Sequence, residues 1–360
     1  MPSPDTSANP PPAGLPATRA RTDAAARLAR SRWLLPLGLF VLAPLIGEFL
    51  LGNQPISALP WLFFLAPVYG GGAILARETA RRAGTGWYGI ILLAAAFALL
   101  LEGIIHQMLF NPAYLGLPSF AGFAPLPLVG MSGTLLQGTL TLHVVWSICV
   151  PIALMEAFDP TPGKPWLDTR GLVLVGGLFV AGSLVMAAIQ YETLRFIATP
   201  GQFAAIAVAI IALVALALRP PRWSRSLEDA AALEPAPSPL RVGAVAFVLS
   251  SLYWAIDQFM PVDVGDWGAI GLWLALAAIS ALLLIRASRR PGWGGMHRLA
   301  VAGGALLTYV WAGFVHSLYL GVPRQEALLG NSVFGAGAII LLALAIRAQW
   351  SLGQRVTPAA

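Results

Sequence analysis

The chain has 360 residues, 58% of them hydrophobic and 11% charged, with a formal net charge of +6. That balance excludes an ordinary soluble domain and an intrinsically disordered chain, because charge is sparse and apolar residues dominate. The single cysteine, Cys149, excludes an internal disulfide framework and a Cys-based zinc site.

Residues 1–33 are rich in Pro, Ala and Arg and hold no apolar stretch before Trp33. They lack the continuous apolar core of a signal peptide and read as a disordered cytoplasmic tail. Ten apolar runs follow: 34–52, 60–76, 87–110, 132–157, 170–190, 201–218, 240–260, 267–286, 298–320 and 329–348. A helix needs roughly 20 such residues to cross a bilayer. Backbone groups in lipid must bond internally, and long continuous runs do not fit the alternation of a β-barrel, so the spans are expected to be helices. The expected fold is all-α: a polytopic transmembrane bundle of about ten spans. A charged, Pro-rich linker at 219–239 divides it into a six-span half (34–218) and a four-span half (240–350), with a tail at 351–360.

Lys and Arg set the direction of the spans. With the N-terminus inside, Arg19 to Arg32, Arg77 to Arg82, Lys164 and Arg170, Arg219 to Arg241, Arg286 to Arg298, and Arg347 with Arg355 all fall on the inner side. Only Arg195 and Arg324 fall outside. Both termini are therefore expected in the cytoplasm, with the protein in the cell (inner or plasma) membrane. The net charge reflects this topology, and the lipid bilayer rather than nucleic acid is the expected partner.

Ionisable residues inside spans are expensive and mark sites by default. Here they gather toward the outer side: Glu48 in span 1, Glu102 and His106 in span 3, Asp257 in span 7 and His316 in span 9, with His143 near the middle of span 4. Asn111 follows span 3. Glu102 lies roughly 8 Å below the outer boundary at 1.5 Å per residue. Glu102 and His106 are four apart and share a helix face. Thr139, His143 and Ser147 repeat every four residues. Ser250, Tyr253 and Asp257, and Tyr309, Gly313 and His316, form similar stripes. The inner half shows little comparable except Glu156, and Arg77 to Arg82 read as an anchor and helix cap. The uncharged segment 111–131 is expected to fold back over the cluster, burying Phe120, Phe123 and Leu126.

Two resemblances bear on this pattern. The segments PLIGE (Pro44–Glu48), YGGGAILARE (Tyr69–Glu78), Glu102-Gly103 with Phe110-Asn111-Pro112, and HVVWSICVPIALME (His143–Glu156) with Pro165-Trp166-Leu167 resemble an uncharacterised family of multi-pass membrane proteins of bacteria and archaea. That likeness covers about residues 43–167 and implies no activity. Glu102 and His106, followed by His143, are also remotely similar to the Glu-Glu-x-x-x-Arg motif and later His of the CPBP intramembrane proteases. Leu101 stands in place of the first Glu, and His106 in place of the Arg. That likeness implies a hydrolase with Glu102 and His143 as catalytic residues and a divalent metal ion on His106, His143 and His316. The residues themselves point rather to a binding or transport site for a small solute, ion or lipid-like ligand reached from the outer side, formed by Glu48, Glu102, His106, Asn111, His143, Ser147, Asp257 and His316. A non-catalytic membrane scaffold is the third reading.

Overall fold

The computed structural model describes residues 33–114, 124–220, 234–259 and 265–356. Among them are ten helices long and apolar enough to cross a membrane. They are α1 (Trp33–Leu50), α2 (Ile56–Arg82), α3 (Gly86–Ile105), α4 (Gly133–Glu156), α5 (Thr169–Leu194) and α6 (Pro200–Ala217). They continue with α7 (Pro239–Phe259), α8 (Gly265–Ser288), α9 (Gly295–Tyr319) and α10 (Arg324–Val356). The protein is an all-α, multi-pass membrane protein, and its ten helices match the ten apolar runs one for one. A hairpin of two short strands, β1 (Pro125–Leu126) and β2 (Met131–Ser132), precedes α4.

The helices divide into an inner and an outer set. Half or more of the most apolar stretch is buried in α1, α2, α3, α4 and α9, against 11% in each of α5 to α8. The outer helices thus present continuous apolar surface (Val173, Leu184, Ile211, Leu274) to their surroundings, as lipid-facing helices should. Two cores fill the inner set. One packs Leu39, Val68, Tyr69, Phe97, Leu101 and Ile148 between α1, α2, α3 and α4. The other packs Ile46, Leu51, Trp146, Leu306 and Tyr309 between α1, α4 and α9, with Trp254 of α7. Lipid is as apolar as leucine, so association between such helices relies on close packing of small residues. At Gly70 an added Cβ would stand 2.0 Å from the Phe40 carbonyl oxygen, and at Gly304 it would stand 2.5 Å from that of Gly243.

Local signals fix the helix ends. Ser132 caps α4, its hydroxyl accepting from Leu135 N at 3.2 Å, and Asp168 caps α5 through Gly171 N at 2.8 Å. Thr199 and Gln202 form a reciprocal capping box around Pro200 at the start of α6. Two ends differ from the expected ones. Span 3 stops at Ile105 rather than at 110, because Gln107 takes a left-handed φ of 57° and its side-chain oxygen accepts from Ala198 N at 2.7 Å. Span 2 extends past 76 to Arg82, because its basic residues find buried partners instead of water.

Four of the five inner helices share an unusual feature. Each of α1 to α4 contains a widened π-helical turn: Leu45–Leu50, Ala66–Gly70, Leu100–Ile105 and His143–Cys149. Such turns are rare and cluster at functional sites. Proline lies at three of them: Pro44 caps the first, Pro67 sits within the second, and Pro151 follows the fourth. Proline removes a backbone donor and disturbs the regular i to i−4 ladder.

Candidate functional site

The four π turns bring one set of polar side chains together. Glu48, Tyr69, Glu102, His143 and Ser147 all lie within them. Glu102 is the centre, 3% exposed. Its Oε1 lies 2.9 Å from His143 Nε2 and 3.1 Å from His106 Nδ1, and its Oε2 lies 3.2 Å from the same His106 nitrogen. His143 Nδ1 lies 3.0 Å from Ser147 Oγ. Glu48 is buried on the adjoining turn of α1, where a Cβ built at Gly47 would stand 2.7 Å from Ser147 Oγ. The rings of Tyr69 and Phe97 flank His143, with centroids 5.8 and 6.1 Å away.

Donor and acceptor chemistry assigns the protons. An ionised carboxylate only accepts. With Glu102 ionised, His106 Nδ1–H and His143 Nε2–H therefore both donate to it. A neutral His143 then has Nδ1 as an acceptor, and the Ser147 hydroxyl donates to it. One hydrogen-bonded line thus runs from Ser147 through His143 and Glu102 to His106, drawing on two helices and the turn after α3. Every contact in it is satisfied, as a polar group in an apolar interior requires.

The expected site residues divide as follows. Glu48, Glu102, His106, His143 and Ser147 come together. Asn111 does not join them: its Oδ1 accepts from Ala113 N at 3.0 Å and shapes the turn after α3. His316 lies elsewhere, with Nε2 2.8 Å from Asn53 Oδ1. Asp257 falls in α7, but its side chain lies outside the described residues. The metal set His106, His143 and His316 is thus not assembled. Among the described residues no group of three His, Cys, Asp or Glu side chains is arranged to hold a metal ion. The two imidazoles that do meet spend their facing nitrogens on Glu102.

Tyr69 belongs to the site, although its sequence setting beside Gly70 to Gly72 reads as packing. Tyr114 also lies within electrostatic reach of Glu48 and Glu102, and its hydroxyl accepts from Gln190 Nε2 at 2.8 Å. That bond ties the start of segment 111–131 to α5. Phe120 and Phe123 lie outside the described residues, and Leu126 is half-buried rather than fully buried. The end of the segment packs elsewhere, with Ala124 against Ile270 and Trp273.

A second polar cluster lies at the opposite end of α2 and α4. Arg77, expected as an anchor, is fully buried. Its guanidinium donates to Glu156 and Glu78, each at 2.9 Å, and to the carbonyls of Pro162 and Lys164, each at 3.1 Å. It also stacks on Trp166, 3.3 Å from the ring centroid. Arg81 binds both oxygens of Glu156, at 2.8 and 2.7 Å. Glu78 accepts the backbone N–H groups of Trp166 and Leu167. The paired residue types at Arg77-Glu78 and Glu156 were visible in the sequence, but only the fold shows that they meet.

No family model, curated protein or solved structure matches the chain.

Proposed function

We propose that this protein binds a proton at the Glu102 site and uses it to bind or move a small solute or ion across the cell membrane. The observation that carries this reading is that two imidazoles, one on α4 and one just beyond α3, converge on a single carboxylate buried among membrane-spanning helices. A carboxylate and two imidazoles in direct contact exchange protons at little cost in motion. Their sharing between helices couples protonation to helix position: an added proton removes the carboxylate charge that holds both rings. The four π turns are where the inner helices can yield. The positive residues clustered at alternate ends support an orientation with both termini cytoplasmic, so that the site faces outward.

The same Ser147–His143–Glu102 line also matches the connectivity of a nucleophile, base and orienting acid. The surroundings of Ser147 count against that use. A Cβ built at Gly47 would lie 2.7 Å from Ser147 Oγ, so α1 seals the hydroxyl from a substrate carbonyl.

The test is proton flux into proteoliposomes carrying an internal pH dye, with wild type compared against Glu102→Gln and His143→Gln. Flux that needs both residues supports the reading. Flux equal in all three proteins contradicts it. Metal analysis of the purified protein runs alongside: stoichiometric metal lost in His143→Ala would favour the hydrolase.

A further inference from the structure

Among the described residues, three buried polar atoms on α7 and α9 have no hydrogen-bond partner: Trp254 Nε1, the Tyr309 hydroxyl and His316 Nδ1. Buried groups of this kind are uncommon, and each is costly when left unpaired. These three lie along one line. Tyr309 and His316 are seven residues apart on α9, on one face and roughly 10 Å apart along the axis. Trp254 of α7 bridges them, its ring centroid 5.6 Å from Tyr309 and 5.5 Å from His316.

Their hydrogen-bonding roles are complementary. The indole N–H can only donate. His316 Nε2 faces the Asn53 oxygen at 2.8 Å and so carries the ring proton. Its Nδ1 is therefore an acceptor. The phenol does both. Water has the roles to accept from the indole, donate to the imidazole and continue to the phenol, and an apolar molecule has none of them. The line starts at the rim of the bundle, where Asn53 follows α1. It ends at Tyr309, which packs in one core with Ile46 and Leu50 on the π turn of α1 that carries Glu48.

We propose that water enters between α7 and α9, past His316, Trp254 and Tyr309, and that this file of water is the proton's route to Glu48 and Glu102. The route to Glu102 rests on the proton-binding function proposed above; the water itself does not.

Trp146 supplies an internal control. It stacks on the same Tyr309, with centroids 4.5 Å apart, but its indole N–H donates to the Ala305 carbonyl at 2.8 Å. The experiment transfers full-length protein with ¹⁵N-labelled indoles, in nanodiscs, into D₂O and follows each N–H. Signals are assigned with Trp254→Phe or Trp254→Tyr, and with Trp146→Phe. The Trp254 N–H should exchange at least about tenfold faster than that of Trp146, because it needs no opening of the helix pair. His316→Leu, which removes the acceptor at the rim, should slow Trp254 and leave Trp146 unchanged. Equal protection of the two indoles, or no response to His316→Leu, overturns the water file. A second arm measures the rate of proton uptake after a pH jump. Uptake that depends on Glu102 and slows in His316→Leu and Tyr309→Phe supports the route. Glu102-dependent uptake unaltered in both overturns the route. Uptake independent of Glu102 overturns the proton-binding function, and the exchange result then stands by itself.

Discussion

Replacing Arg77 by methionine keeps the length and bulk of the side chain but removes the charge at the centre of the second cluster. The three carboxylates there, Glu78, Glu156 and Asp159, are balanced by Arg77, Arg81 and Arg82. Arg77→Met leaves one buried carboxylate uncompensated, and the Pro162 and Lys164 carbonyls lose their donor. Breaking one side of a buried ion pair costs about 3–5 kcal/mol. Arg81 still holds Glu156 through both oxygens, which places the expected loss near 3 kcal/mol on that scale. Adding Glu156→Gln removes the surplus charge. The double variant should therefore be more stable than Arg77→Met by about 1–2 kcal/mol, since removing both partners of a buried pair is far cheaper than removing one. The assay is unfolding in mixed micelles of rising SDS fraction, followed by far-ultraviolet circular dichroism for wild type, both single variants and the double. A loss under about 1 kcal/mol for Arg77→Met, which is the range of an exposed pair, or a double variant as unstable as the sum of the singles, would refute the reasoning.

Gly70→Val should destabilise the bundle by about 3 kcal/mol or more, because its Cβ meets the backbone of α1 rather than a movable side chain; the same SDS titration measures it. Ser147→Ala should cost about 1 kcal/mol, one hydrogen bond, and leave Glu102-dependent proton uptake in place, whereas a nucleophilic serine would lose all activity on substitution. In a Cys149→Ser background, a cysteine at exposed Ser57 should react with an impermeant thiol reagent in intact cells and one at exposed Ser288 should not; the opposite pattern would reverse the proposed orientation.

The length and spacing of apolar runs made the ten helices legible, because a membrane leaves the backbone few alternatives. Helix ends were less so. Gln107 ends α3 within an apolar stretch through a backbone turn held by a contact 91 residues away, and no local pattern carries that information. The four-residue spacing of Glu102 and His106, and of His143 and Ser147, placed each pair on one face. That His143 meets Glu102 is a contact across 41 residues, visible only in the packing of α3 on α4. Tyr69 was hidden because a tyrosine beside three glycines is also what close packing requires. His316 illustrates the converse: its depth suggested the main site, but its partner is Asn53 in the turn after α1. The arginine cluster is not legible in the sequence, because exposed anchors and buried pairs use the same residues and burial alone separates them.

The central claim is that Glu102 is a proton-binding group shared by two imidazoles. Infrared difference spectra of the purified protein, taken across a pH titration in nanodiscs, test it most directly. A carboxyl C=O band should appear as pH falls in wild type, be absent in Glu102→Gln, and shift in frequency in both His106→Gln and His143→Gln, because each removes one hydrogen bond to the same group. A titration spectrum that is identical in wild type and Glu102→Gln would contradict it.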